Sequence, residues 1–306
     1  WVNGVAATGT FVKAPSMTSL TTGVNGIPTG WTVLDDTEYL TISALEDGEI
    51  TITIPSNVNS THATSISYSK DKLNWAETIV DDTNQTITIQ VSSGENVYLK
   101  GIGRQWGTFR WSNGSNINSS ADIIVSGNVM SLLYGDKFKD KTSFQDGSEY
   151  IFMQLFKSNK HLINVDNLIL PATTLTPYCY YYMFYGCSLL TTAPALPATT
   201  LATYCYYGMF EYCSSLTTAP ELPATMLADG CYFHMFYNCS SLTTVTKLPA
   251  TTLYDECYRY MFYGCTSLTT APELNATVLM SRCYNGMFEG CTSLTIAPEL
   301  RATELS

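Results

Sequence analysis

Ten cysteines are the residues of this 306-residue chain best placed to do chemistry, and their spacing limits what that chemistry is. They stand at Cys179, Cys187, Cys205, Cys213, Cys231, Cys239, Cys257, Cys265, Cys283 and Cys291, with gaps alternating between 8 and 18 residues. An even count is compatible with a disulfide framework. On a helix, eight residues separate two Cα atoms by about 12 Å, beyond the roughly 7 Å that a bridge spans. Pairing equivalent positions of neighbouring repeats leaves one thiol over in each column, because each column holds five. Pairing across the longer gap, Cys187 with Cys205 for example, stays open. Cys-x7-Cys fits no usual zinc spacing. The third reading is buried thiols that pack as small hydrophobes.

Other reactive groups are sparse. His62, His161 and His234 lie far apart in sequence, and none sits in a metal-ligand spacing. No phosphate-binding loop, nucleophile elbow, zinc-helix motif or dinucleotide fingerprint appears. Asp35-Asp36 and Asp81-Asp82 read as solvated turn carboxylates. Asp122 and neighbouring loop acids could hold calcium, but without a recognisable loop pattern. The reading is a protein that is no enzyme, with no cofactor and no metal centre. Only 13% of residues are charged and the net charge is −11, so nucleic acid and anionic membrane surfaces are poor partners. No run approaches the roughly 18 apolar residues of a membrane-spanning helix.

The cysteines belong to a repeating text: Cys-Tyr-x-x-Met-Phe-x-x-Cys, then Leu-Thr-x, and usually Ala-Pro-x-Leu-x-Ala-Thr. Each copy takes 26 residues, and a fixed period of this length marks a solenoid. Within a copy the Cys-Tyr-x-x-Met-Phe stretch reads as a short helix with apolar offsets 0, 4, 5 and 8 on one face. The Leu-Thr-Thr-Ala stretch reads as a short strand, limited by the proline that follows. Leu-Pro-Ala-Thr-Thr-Leu is the return path. A disguised first copy aligns residues 151–159 with 205–213, which puts Ile151 in the first cysteine slot and Asn159 in the second. An isoleucine slot is an apolar core position. A slot that accepts Asn or Cys suits a group that hydrogen-bonds the backbone.

The first half reads differently. Period-two runs such as Leu40-Thr41-Ile42-Ser43, Ile50-Thr51-Ile52-Thr53-Ile54 and Thr86-Ile87-Thr88-Ile89 are separated by turn residues, the pattern of an antiparallel sandwich. The expected organisation is an N-terminal segment over 1–36, an immunoglobulin-like β-sandwich over 37–133, a connector over 134–147 and an α/β solenoid over 148–306. The chain opens at Trp1 without a Met and closes where another Cys-Tyr stretch is due. It therefore reads as a segment of a longer protein, with signal or anchor sequences outside it.

Met-Phe-x-Gly-Cys-Thr-Ser-Leu-Thr-x-Ala-Pro, at residues 261–272 and 287–298, resembles the BspA-like leucine-rich repeats of bacterial surface proteins. The resemblance covers about residues 148–306. This chain has Cys where that family's helix has Ile, and Met where it has Ala. The resemblance implies a leucine-rich-repeat fold, export to the cell surface, and adhesion or host-protein binding. The expected partner is a host or matrix protein, with a glycan or a purely structural spacer role as alternatives.

Surface positions that recur on the strand slots are the candidate ligand face: Thr192, Thr218, Thr244 and Thr270 in one column, Glu221, Lys247, Glu273 and Glu299 in another. The invariant column of Tyr180, Tyr206, Tyr232, Tyr258 and Tyr284 is expected to pack between coils. The more variable Tyr181, Tyr207, Phe233 and Tyr260 are expected to be exposed contacts, since an exposed aromatic supplies area at low entropy cost. Trp106 and Trp111, in a Gly- and Ser-rich stretch, are the further aromatic candidates.

Overall fold

The computed structural model describes residues 9–13, 31–35, 38–54, 64–80, 85–103, 115–144, 148–302 and 304–305. Chain contacts divide it into a unit of residues 1–38 and a unit of residues 39–306. In the first, β1 (Gly9–Lys13) pairs in parallel with β2 (Trp31–Asp35).

The second unit begins with a set of strands, most of which bury alternate residues as period-two sequences require, whereas residues 76–79 are exposed or half-buried. The strands are β3 (Leu40–Ala44), β4 (Gly48–Ile54), β5 (Thr64–Ser69), β6 (Ala76–Val80), β7 (Gln85–Val91), β8 (Asn96–Ile102), β9 (Asn116–Ser119) and β10 (Ile123–Asn128). Antiparallel pairing gives one sheet the order β10-β3-β8-β5-β6 and a second the order β7-β4-β9. Leu40 and Ile42 of the first sheet and Ile50, Ile52 and Ile117 of the second are fully buried in one core. Helix is scarce among the described residues: α1 (Ser131–Tyr134) and a 3-10 turn at Gly135–Lys137.

β10 also carries the handover to the repeats. It pairs in parallel with β11 (Leu162–Asn164) and β12 (Leu168–Ile169), both within the disguised first copy. The core then continues unbroken from the sheets through every coil to Cys291.

The Cys-Tyr-x-x-Met-Phe stretch is not the expected helix. It is a ribbon of overlapping turns. In one coil the N–H groups of Cys205, Tyr207, Met209, Glu211 and Cys213 each donate to the carbonyl three residues back, at 3.0–3.3 Å. The alternate N–H groups of Tyr204, Tyr206, Gly208, Phe210 and Tyr212 donate to the next coil, at Asp229, Cys231, Phe233, Met235 and Tyr237, over 2.8–3.0 Å. An α-helix would spend every N–H on its own i−4 carbonyl. Here half of them join neighbouring coils as a sheet does.

The ribbon closes on itself every four residues through a positive φ, at Tyr204 (52°), Gly208 (55°) and Tyr212 (62°). That four-residue period explains the apparent helical face. Cys205, Met209 and Cys213 recur at intervals of four and are all buried. A non-glycine residue with positive φ costs about 1–2 kcal/mol, which the bonds to the next coil offset.

The expected strand at Leu-Thr-Thr-Ala is also shorter than foreseen. In the middle coils it is a single parallel bridge, Thr218 to Thr244. Further single bridges join the return paths, as at Thr200 with Met226 and Leu248 with Leu274. Only β13 (Val278–Leu279) and β14 (Glu304–Leu305), among the described residues of the later copies, form a two-residue pair. The prolines remove donors and keep the pairing local.

Stacking of identical side chains fills the coils. Phe184, Phe210, Phe236 and Phe262 form a column with ring centroids 5.4–5.6 Å apart. Tyr180, Tyr206, Tyr232 and Tyr258 form a second column at 5.7 Å. These rings are among the largest fully buried side chains, as expected for the invariant tyrosines.

Candidate functional site

All ten cysteines are buried free thiols. The second column has a defined task. Cys187, Cys213, Cys239, Cys265 and Cys291 donate S–H to the carbonyls of Phe156, Phe184, Phe210, Phe236 and Phe262 in the preceding coil, at 3.0–3.1 Å. Asn159 fills that slot in the first copy: its Nδ2 donates to the Ile117 carbonyl of β9 at 3.3 Å. Burial pushes every thiol above its ordinary value, Cys187 to about 12. Thiolate, the reactive form, is thereby suppressed. The cysteines are architecture.

The strand-slot columns lie at the surface. Thr218, Glu221, Thr244, Lys247, Thr270, Glu273 and Glu299 are exposed. Around Thr218 and Thr244 the backbone is fixed by coil-to-coil bonds, from Ala219 N to Thr244 O and from Thr243 N to Thr217 O, each 3.0 Å. Thr192 differs. It is half-buried, and its Oγ1 accepts from Val165 N at 3.0 Å, so its hydroxyl serves the backbone.

The variable aromatics are less exposed than expected. Tyr181 and Phe233 are buried, while Tyr207 and Tyr260 are half-buried. Coil spacing is the reason, because it matches the thickness of a ring. Tyr181 stacks on Tyr207 at 4.6 Å, and Tyr207 on Phe233 at 4.8 Å. Arg259 lies over both Phe233 and Tyr260, at 5.3 and 5.1 Å from their centroids. Trp106 and Trp111 lie outside the described residues.

A second aromatic row escaped the sequence reading. Tyr185, Tyr212, Tyr237 and Tyr263 follow one another at 5.5, 5.7 and 4.5 Å between centroids. Tyr212 is exposed and the other three half-buried. The signal was present, since each precedes the second cysteine of its copy by one or two residues. Beneath this row Glu211 is buried and faces His234 Nδ1 at 3.3 Å. Where the sheets meet the first copy, the carboxylates of Glu46 and Asp122 and the imidazole of His161 converge within 4.8 Å. Sequence spacing hid this group, because His161 is 39 residues from Asp122.

This geometry defines a class: coils of near-constant length, stacked through ladders of identical side chains. The model of the BspA type leucine rich repeat region matches six copies over residues 133–227 and 209–298. That is more than half of the chain, which therefore belongs to this family. No curated protein and no solved structure matches the chain. Among the described residues no helix is long and apolar enough to cross a membrane.

Proposed function

We propose that the chain is a non-catalytic recognition protein of the bacterial surface that attaches to a host or matrix protein through its repeat face. The observation that carries this reading is the pair of exposed columns, Thr218–Thr244–Thr270 and Glu221–Lys247–Glu273, held in register by a rigid stack. Each coil adds one copy of the same exposed slot, so the stack offers a long, flat, repeated contact surface. Its charge is mixed and slightly acidic, which favours a protein surface over a polyanion. Burial of all ten thiols leaves them no catalytic role. In this reading the two sheets form an immunoglobulin-like sandwich that closes the first coil and sets it away from its attachment point. Individual polar contacts of this kind are weak, and display of many copies on one cell supplies the avidity.

The test uses beads coated with the whole chain and surfaces coated with matrix proteins. Changing Glu221, Lys247 and Glu273 together to Ala should reduce attachment. Attachment that survives this change but disappears on replacing Trp106 and Trp111 would transfer recognition to the first half and leave the repeats as a stalk.

A further inference from the structure

We propose that Glu46, Asp122 and His161 form a binding site for one divalent transition cation of the zinc or manganese type. The site would lie at the seam between the sheets and the first coil. Three adjacent strands bring the ligands together. Ile123 of β10 pairs with Ala44 of β3 on one side and with Leu162 of β11 on the other. Asp122 and His161 immediately precede Ile123 and Leu162, and Glu46 lies two residues beyond Ala44. The three ligands therefore stand at one end of the same three strands.

The backbone under them is locked. Leu45 N donates to Asp122 O, and Ile123 N to His161 O, each at 2.8 Å. His161 N donates to Asn159 Oδ1 at 3.0 Å. The side chains already lean together: His161 Nδ1 is 2.9 Å from Asp122 Oδ1, and Glu46 Oε1 accepts from Asp122 N at 3.1 Å. Two ligands about 2.1 Å from one ion and at right angles lie about 3.0 Å apart, so the His161–Asp122 separation suits adjacent corners of an octahedron. Asp122 and His161 are half-buried and Glu46 is exposed, which leaves the remaining corners to water.

One imidazole nitrogen with two carboxylates favours a borderline cation, because calcium prefers a set of six to eight oxygens. Bound there, the ion would tie the turn after β3 and the start of β10 to the first coil. These segments are separated by 76 and 39 residues of sequence. It would act as a clasp where sheet hands over to repeat, and an ion that binds only the folded chain raises its stability.

The experiment is calorimetric titration of the whole, tag-free chain with zinc, manganese and calcium chlorides, beside thermal melts with and without each salt. Expected are one zinc or manganese ion per chain and a raised Tm. His161→Ala and Asp122→Asn should each weaken binding by roughly tenfold or more and abolish the Tm shift. Circular dichroism checks that the variants fold; where His161→Ala does not, Glu46→Gln, which changes an exposed side chain, gives the reading. No saturable binding, binding of calcium alone, or zinc binding unchanged in His161→Ala and Glu46→Gln would each overturn the site. The last result would leave only the His161–Asp122 hydrogen bond.

Discussion

The two halves of residues 39–306 satisfy their backbones by opposite rules. In the sheets a strand is paired with segments far along the chain: β3 lies between β8 and β10, and β4 between β7 and β9. In the repeats an N–H goes either three residues back or to the adjoining coil, as at Tyr206. The sheets need a long-range register, and the coils need only a constant length. A strand tolerates varied residues as long as they alternate, whereas a coil needs the same residue at the same slot. This is why the second half repeats in sequence and the first does not. The halves meet where the rules change. The first ribbon has no coil before it, and β9 stands in: Ile117 N donates to Leu155 O at 2.7 Å, and Asn116 Nδ2 to the carbonyls of Lys157 and Gln154 at 2.9 and 3.1 Å.

Alkaline pH should separate the halves most sharply. All ten thiols lie in the coils. Burial raises the Cys187 thiol from its ordinary 9.0 to about 12 and raises Tyr206 and Tyr232 well above 10.0. In the unfolded chain the thiols ionise from about pH 9, whereas in the native coils they cannot. The unfolded state then binds fewer protons, so stability is complete below about pH 9 and falls as pH rises toward 12. Urea unfolding followed at neutral pH and in steps above pH 9 should show the midpoint dropping steeply. Far-ultraviolet signal and tyrosine absorbance should report the loss of the coils together. A midpoint that stays flat up to pH 11 would mean that the thiols are solvated.

Next in size is the core of a single coil. Phe236 is fully buried between Phe210 and Phe262, with both centroids 5.6 Å away. Phe236→Ala should cost about 3–5 kcal/mol, as large-to-small core changes do. Chemical denaturation measures it, and a loss below about 1 kcal/mol would contradict the stacked column.

The handover should cost less. Asn116→Ala removes a side chain that serves two carbonyls of the first ribbon; the Gln154 carbonyl keeps its bond from Lys157 N at 3.0 Å, so the loss is that of ordinary hydrogen bonds, about 0.5–1.5 kcal/mol each. Hydrogen exchange should then accelerate first in the ribbon at 150–159 and not in the last coils. Uniform acceleration across the chain would mean that β9 does not cap the stack.

What was legible in the sequence follows from the same contrast. The period, the buried Met209, Phe210 and Leu216, and the equivalence of Ile151 with Cys179 needed only a comparison of one copy with the next. The backbone of the coil was not legible. Apolar residues four apart fit a helix face as well as a four-residue turn ribbon. The hint that decides it is glycine at positive-φ slots, such as Gly208, Gly230 and Gly286. Those glycines serve a second need: a Cβ on Gly208 would fall 2.2 Å from the Tyr182 ring of the preceding coil. The exposure of Tyr181 and Phe233 was misjudged because single-residue reasoning ignores that a ring in one coil is covered by the ring in the next. The Glu46–Asp122–His161 group is a product of strand order, which no local spacing carries.

The smallest effect belongs to the surface columns, and its smallness is informative. Glu221, Lys247 and Glu273 are exposed. Glu221 and Glu273 each follow a proline, at Pro220 and Pro272, whereas Lys247 follows Thr246. Changing all three to Ala should move stability by less than about 1 kcal/mol, as substitutions away from packing and caps do. Urea unfolding at neutral pH is the measurement. A larger loss would mean that the acidic and basic slots pair between coils and are structural. A change within that margin, together with reduced bead attachment, ties the columns to recognition, because the stack that displays them would be intact. The sheets and the coils would then divide the work: long-range register anchors the first coil, and constant length repeats one exposed slot along the face.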